Sequence, residues 1–370
     1  MNTATRAAPA VVASLLAAAL ACNALAQLSP ERLYYGVNQP INIRVTTPDN
    51  IEIDTVIMLQ KPDGTTIKVA GVVPGVANLA TMFPEIWTSP IDGVWYAQLH
   101  VGIADIGAPI VIQPLKGSGP AQMTDEAGSI ALKLDEKTRQ PNFGTRNARI
   151  SYPQPDKLLT GVRVYIDRVA TMQTSLGDIE FAMRPDAAPN TVFNFLHLAE
   201  GGFYTGVIFH RVVAKLPNGH AFVIQTGDPT GTGDGGPGYA IDLEPSTLPH
   251  DFGVLSMARD DDPNTSGSQV FVALSREGTA RLDGRYTAFA QALSGAEVIR
   301  AIAAVKVGEN DRPLDPPVIK AIKLDPAPPL SRRRPLTPEV KTTKPEIKPE
   351  TKPETKPSAA PGEKPAGEKK

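Results

Sequence analysis

From residue 28 to about 115 the chain runs in short apolar stretches separated by turn signals. Ile41, Ile43 and Val45 alternate with Asn42 and Arg44, the period of a half-buried strand. Pro48-Asp49-Asn50 follows as a turn. Thr55 to Gln60 is a second run, and Pro62-Asp63-Gly64 marks a hairpin turn into Thr66-Ile67-Lys68-Val69. Ile91-Asp92-Gly93 precedes the long run Val94 to Val101, and Pro109 precedes Ile110-Val111-Ile112. Strands at this spacing predict a small immunoglobulin-like β-sandwich over 28–115. Trp87 and Trp95 are expected in its core.

Between 116 and 160 the rhythm lapses. Gly117, Gly119 and Pro120 mark a linker, and the polar segment beyond has one weak amphipathic stretch around Ile130 to Leu134. The pattern resumes from Val162. Residues 170–174 and 179–183 form a strand–turn–strand unit across Leu176-Gly177-Asp178. Pro189-Asn190-Thr191 opens a helix with Val192, Phe195, Leu196 and Ala199 on one face, and Gly201 stands where a left-handed cap is expected. A second helix is predicted from Ser294, with Ser294-x-x-Glu297 as a capping box and Val298, Ile302 and Val305 as its apolar face. Short Gly-rich strands lie between the helices. A mainly β unit over 161–325 follows, a closed barrel plugged by two helices.

The two ends change the picture of where the protein works. Arg6, the apolar stretch Val11 to Leu20 and Ala24-Leu25-Ala26 read as a signal peptide over 1–26, its apolar part too short to span a membrane. Cleavage there removes Cys22, the only cysteine, leaving no thiol, disulfide or Cys-ligated metal. A second reading makes Cys22 a lipid acceptor, although Ala19 stands where lipobox signals usually carry Leu. Either way the expectation is an exported protein, periplasmic or extracellular, without stable membrane insertion. Residues 326–370 carry Lys344-Pro345-Glu346 and its repeats, with too little apolar surface to offset ordering, so they predict a disordered, extended tail. The tail's own Lys-Pro bonds are potential ligands for a proline site. A net charge of −2 over 370 residues argues against nucleic acid as a partner.

The candidate chemistry lies in three separated segments: Phe209-His210-Arg211, Phe222-Val223-Ile224-Gln225 and Ser266-Gly267-Ser268-Gln269-Val270-Phe271. They supply a permanent cation, an amide and two phenyl rings, with no nucleophile–base pair or metal-ligand cluster. That set suits a reaction that makes and breaks no covalent bond, such as rotation about a peptide bond. The set resembles the cyclophilin family of peptidyl-prolyl cis–trans isomerases, over about 165 to 325. The resemblance implies an eight-stranded closed barrel, proline-containing polypeptides as partners, and neither cofactor nor metal. It implies Arg211 as the catalytic arginine, and Phe222, Val223, Phe271 and Leu282 as the proline pocket. Gln225 and Gln269 would bind the substrate backbone, Ala258 and the backbone of Arg259 would line the neighbouring strip, and Tyr286 takes a position often held by His. A site of this kind that grips proline segments without turnover is the other reading, and the two differ at Arg211.

Three departures from the family pattern bear on this site. A longer segment, carrying Pro217-Asn218-Gly219-His220, separates Arg211 from Phe222; it is expected to loop out at the rim or to displace Arg211. Arg281 stands where ciclosporin-binding cyclophilins carry Trp. Tyr286 keeps an aromatic wall. Other candidates fail on context. Gly231-x-Gly233-x-x-Gly236 is followed by Pro237-Gly238 rather than a helix, and Asp260-x-Asp262-x-Asn264 lacks the glycine and terminal Glu of a calcium loop. The five histidines show no paired metal spacing and are read as surface or packing residues. What the N-terminal sandwich binds is left open.

Overall fold

The computed structural model describes residues 27–47, 54–89, 92–117, 122–124, 149–151 and 158–332. The expected signal peptide, the turn at Pro48, the stretch around Ile130 and the Lys-Pro-Glu repeats lie outside the described residues. Nineteen antiparallel strands organise the rest. In the N-terminal unit they are β1 (Gln27–Pro30), β2 (Tyr34–Gly36), β3 (Asn42–Thr46), β4 (Thr55–Gln60), β5 (Thr66–Gly71), β6 (Gly75–Asn78), β7 (Trp95–Val101), β8 (Ala104–Gly117), β9 (Gln122–Thr124), β10 (Arg149–Ser151) and β11 (Leu158–Ile166). One sheet runs β1-β3-β6, a second β2-β11-β8-β7-β4-β5, and among the described residues β9 pairs only with β10. Two helical turns that the apolar pattern does not foretell, α1 (Leu79–Met82) and α2 (Glu85–Thr88), bury Leu79 and Ile86.

The long apolar runs of β7 and β8 have a simple cause: both faces of these strands are buried. Trp95, Ala97, Leu99, Ile110 and Ile112 pack with Leu28, Ile43 and Val45 of the small sheet. Their neighbours Val94, Tyr96 and Val111 point the other way, into the core of the C-terminal unit. The six-stranded sheet is therefore a middle layer. Three strands form the small sheet and six the middle one. And β11, assigned by pattern to the connector and the second unit, belongs to the first, so the break falls at Asp167. The expected tail also starts later than 326, because Ala327 N donates to Asp167 O at 2.9 Å and Leu330 N to the Gln98 side chain at 3.3 Å.

The C-terminal unit continues with β12 (Arg168–Thr174), β13 (Gly177–Met183), α3 (Pro189–Glu200), β14 (Arg211–Val213), β15 (Val223–Thr226), β16 (Val254–Met257), β17 (Val270–Ala273), α4 (Arg276–Thr279), β18 (Ala288–Ser294), α5 (Ala296–Ala303) and β19 (Ile319–Pro326). The sheet order is β14-β15-β17-β16-β18-β13-β12-β19. The eight strands curl into a half-barrel. Its two edges approach each other at the bridge of Ile208 with Val318, where Gly206 N donates to Ile319 O, Ile319 N to Val207 O and Phe209 N to Pro317 O at 2.8–2.9 Å. Helices α3 and α5 bury Val192, Phe195, Leu196, Val298, Ile299 and Ile302 against it.

Helix ends differ from expectation by a residue or two. Gly201 has a right-handed backbone; the left-handed residue is Gly202 (φ 75°). Phe203 N then donates to Leu198 O and Gly202 N to Ala199 O, a Schellman end displaced by one position. Helix α5 starts at Ala296 behind Gly295 (φ 85°), because Ser294 is the last residue of β18 and its hydroxyl meets Glu180. There is no capping box.

Two polar clusters hold the faces that later carry the site. At the start of α3, Glu244 accepts from Asn190 N, Asn190 Nδ2, Thr191 N and Thr191 Oγ1 at 2.7–3.0 Å. A carboxylate is favoured there because the first turn leaves backbone donors unsatisfied. Behind β17, His250 is buried between Asp283, 3.0 Å from Nδ1, and Ser256, 2.9 Å from Nε2. Burial alone would raise the Asp283 carboxyl. Hydrogen bonds from His250 and Arg276 outweigh that and hold it well below the usual carboxylate range.

Replacing Glu244 by Ala is expected to remove about 1–2 kcal/mol of stability, read as a lower thermal midpoint. Asp283→Asn tests the second cluster. A depressed folded-state carboxyl contributes stability above its unfolded value, about 3.9, and loses it as pH falls through the folded one. The gap in urea midpoint between wild type and Asp283→Asn should thus be widest at neutral pH and shrink below about pH 4. A gap independent of pH would discard this account.

Candidate active site

Strand pleating divides β14, β15 and β17 between two environments. Val212, Ile224, Val270 and Val272 face the half-barrel core. Their neighbours face outward, and the register aligns them: Arg211 opposite Gln225, Gln225 opposite Phe271, and Val213 opposite Val223. Side chains directly opposite on one sheet face are within contact reach. One outward surface therefore collects the cation, the amide and the phenyl ring that lie far apart in sequence.

Beside them lies an apolar cluster separate from the main core. Val213, Val223, Phe271 and Leu282 are buried in it, with Leu216, Phe222, Ala258 and Tyr286 packed against it half-buried. All four residues expected in the pocket come together, and Ala258 and Tyr286 join them. Phe271 is held on two sides: its ring stacks on His250 at 5.8 Å and meets Tyr286 edge-on at 5.9 Å. His250, expected as a surface or packing residue, packs against Phe271. Arg259 lies over the Tyr286 ring at 4.6 Å, and Arg281 over Phe222 at 5.0 Å.

The polar half is aligned by a directional chain of hydrogen bonds. Asp228 is fully buried, and it accepts from Thr230 N, Thr230 Oγ1 and Gly233 N. Its burial would raise the carboxyl, but these donors, led by the Thr230 side chain, push it well below the usual range. The loop wrapped around it presents the carbonyls of Gly233 and Gly235 to Gln269 Nε2 at 2.7 and 2.9 Å. A Cβ at Gly235 would collide with the Asp228 carboxylate, which is the reason for glycine there. Because two carbonyls occupy the Gln269 amide nitrogen, its oxygen turns to Gln225 Nε2, 2.9 Å away. The Gln225 oxygen is then left to accept from Arg211 Nη1 at 3.3 Å. The Gly231–Gly236 motif is thus part of a tight loop, as expected, and it also orients two glutamines.

Arg211 also has an anionic neighbour that sequence reasoning missed. Asp311 Oδ2 lies 3.8 Å from Arg211 Nε, on a turn where Asn310 and Asp311 both adopt left-handed backbone (φ 55° and 58°). The guanidinium itself is half-exposed. The turn is tied back by Arg312, whose Nη1 donates to Gly231 O at 2.6 Å. His210 is buried, with no hydrogen-bond partner on either ring nitrogen. Burial, helped by the charges of Arg312 and Arg211, lowers its pKa against the pull of Asp228. Among the described residues, no group of His, Cys, Asp and Glu is placed to hold a metal ion.

The longer segment between Arg211 and Phe222 leaves the strand register intact. It begins after Val213, and Arg211 pairs opposite Gln225. Arg259, expected through its backbone, also directs its guanidinium to the carbonyls of Asp260, Asp261 and Arg285.

The C-terminal unit is similar to known proteins. The family described as "Cyclophilin type peptidyl-prolyl cis-trans isomerase/CLD" matches residues 169–324. "Peptidyl-prolyl cis-trans isomerase ppi1" of Schizosaccharomyces pombe is 42% identical over 159 residues, covering 41% of this chain and 97% of that protein. "Peptidyl-prolyl cis-trans isomerase A" of Mycobacterium tuberculosis is 38% identical over 174 residues, covering 42% and 91%. A solved cyclophilin type isomerase of Cryptosporidium parvum is 33% identical, with a TM-score of 0.40, covering 44% of this chain and 99% of that one. Through residues 169–324 the chain belongs to the cyclophilin-type peptidyl-prolyl cis–trans isomerases.

Proposed function

We propose that this isomerase acts outside the cytoplasm on exported polypeptides, with Arg211 assisting the twist of the X–Pro amide. An X–Pro bond turns slowly because its C–N bond has partial double-bond character, with a barrier of about 18–20 kcal/mol. A catalyst must hold the twisted amide more tightly than either planar form. Twisting returns the lone pair to the prolyl nitrogen, and a donor aimed at that atom stabilises the twisted state. A guanidinium suits this because it remains charged and its donors form a rigid fork. Val223, Phe271, Leu282 and Phe222 would hold the ring while the preceding carbonyl swings. Gln225, Gln269, Ala258 and the Arg259 backbone would bind the flanking peptide.

The observation that carries this reading is the shared outward face of Arg211, Gln225 and Phe271 beside an apolar cluster separate from the core. Export rests on the signal-like pattern of residues 1–26. The N-terminal unit is read as a targeting or partner module, since its sheets carry no comparable constellation.

Arg211→Ala is expected to lower kcat/KM on a proline-containing tetrapeptide by about 100- to 1,000-fold with an unchanged melting curve. Wild-type turnover in that variant would remove Arg211 from the mechanism. The second outcome concerns Arg281, which replaces an aromatic donor with an exposed cation over Phe222. Inhibition by ciclosporin should accordingly be weak, and a submicromolar inhibition constant would contradict this.

A further inference from the structure

The segment that separates Arg211 from Phe222 is a built hairpin. Gly219 N donates to Leu216 O at 2.8 Å and Leu216 N to His220 O at 2.9 Å. Pro217 is preset for the first central position of a type I turn, and Gly219, at φ 85°, supplies the left-handed residue after it. Asn218 Oδ1 accepts from His220 N at 3.1 Å and closes the tip. The hairpin's base is also fixed. Ser275 Oγ donates to Ala221 O at 2.8 Å, and Leu274 N donates to Phe222 O at 2.8 Å. Among the apolar residues of this hairpin, Leu216 is packed, half-buried, against the Val213–Val223–Phe271–Leu282 cluster.

Its position decides what it can touch. The last ladder pair of β14 and β15 is Val213 with Val223, and Leu216 lies beyond that pair. It therefore extends the apolar surface of the cluster past the last strand pair. A half-buried leucine on a rim recovers most from a partner that covers its remaining surface. The group available to do so is the side chain next to the bound proline.

We infer that Leu216 is a specificity-determining residue that selects bulky apolar side chains adjacent to the proline. This rests on the assignment of the Val223, Phe271 and Leu282 cluster as the proline pocket. The hairpin supplies the subsite in advance, so the selected residue meets an ordered surface and not a loop that must first be fixed.

The test measures kcat and KM of the full chain on tetrapeptides with Gly, Ala, Leu or Phe placed in turn on each side of the proline. Leu216→Ala should lower kcat/KM about fivefold for the Leu and Phe peptides on one side, mainly through KM, and spare the Gly peptides. Leu216→Met should restore the preference. Equal loss on every peptide, which a merely structural role predicts, overturns the inference, as does no loss on any. If wild type fails to exceed the thermal rate, or Arg211→Ala is fully active, the reading of the site itself fails. If wild type exceeds the thermal rate, Arg211→Ala loses activity and Leu216→Ala has a flat profile, only the assignment of Leu216 falls.

Discussion

The pleat of β14, β15 and β17 is the constraint on which the site depends. Val212, Ile224 and Val272 are committed to the half-barrel core, and each fixes its neighbours on the opposite face. A one-residue slip of β15 would bury Gln225 and expel Ile224, so the cost of burying an amide without partners pins the register. The outward alignment of Arg211, Gln225 and Phe271 is then a by-product of core packing. Little further energy is needed to assemble the constellation; it has to be oriented.

Orientation comes from groups that do not themselves line the pocket. An amide side chain is ambiguous, since its nitrogen and oxygen occupy similar volumes. Here the ambiguity is removed at one end, by two backbone carbonyls on the Gln269 nitrogen, and the choice passes through Gln225 to Arg211. The buried Asp228 carboxylate anchors the loop that offers those carbonyls. On the apolar side, Asp283, His250 and Ser256 do the same for Phe271. Both anchors are carboxylates whose burial penalty is outweighed by several donors, so each holds one geometry.

Much of this was legible in the sequence, for an identifiable reason. Residues that alternate in β14, β15 and β17 carry their chemistry on every second position, so short motifs kept their meaning despite their separation. Features set by distant pairing were not legible. The membership of β11 in the N-terminal sheet depends on its pairing with β8, a contact over a long sequence gap. Asp311 is far from Arg211 in sequence and is presented by backbone that only structure reveals. Gly201 and Ser294 failed as markers because neighbouring glycines, Gly202 and Gly295, took the left-handed positions. Leu216 was hidden inside a segment readable only as an interruption.

The middle sheet gives the N-terminal unit a physical route to the site. Gln113 of β8 donates to Asn190 Oδ1 at 2.8 Å and accepts from Arg163 Nη1 at 3.1 Å, while the Arg163 guanidinium lies 3.8 Å from the Phe193 ring centroid. Asn190 is clamped by Glu244, whose backbone N accepts no freedom either, since it donates to Thr287 Oγ1 at 3.1 Å. Thr287 follows Tyr286, the edge partner of Phe271. These contacts form a short chain of bonds from β8 through α3 to the residue beside Tyr286. A unit joined by a free linker would leave α3 indifferent to its position; one joined through Gln113 cannot move on α3 without breaking the bond to Asn190, whose other partner, Glu244, is bonded to Thr287 beside Tyr286.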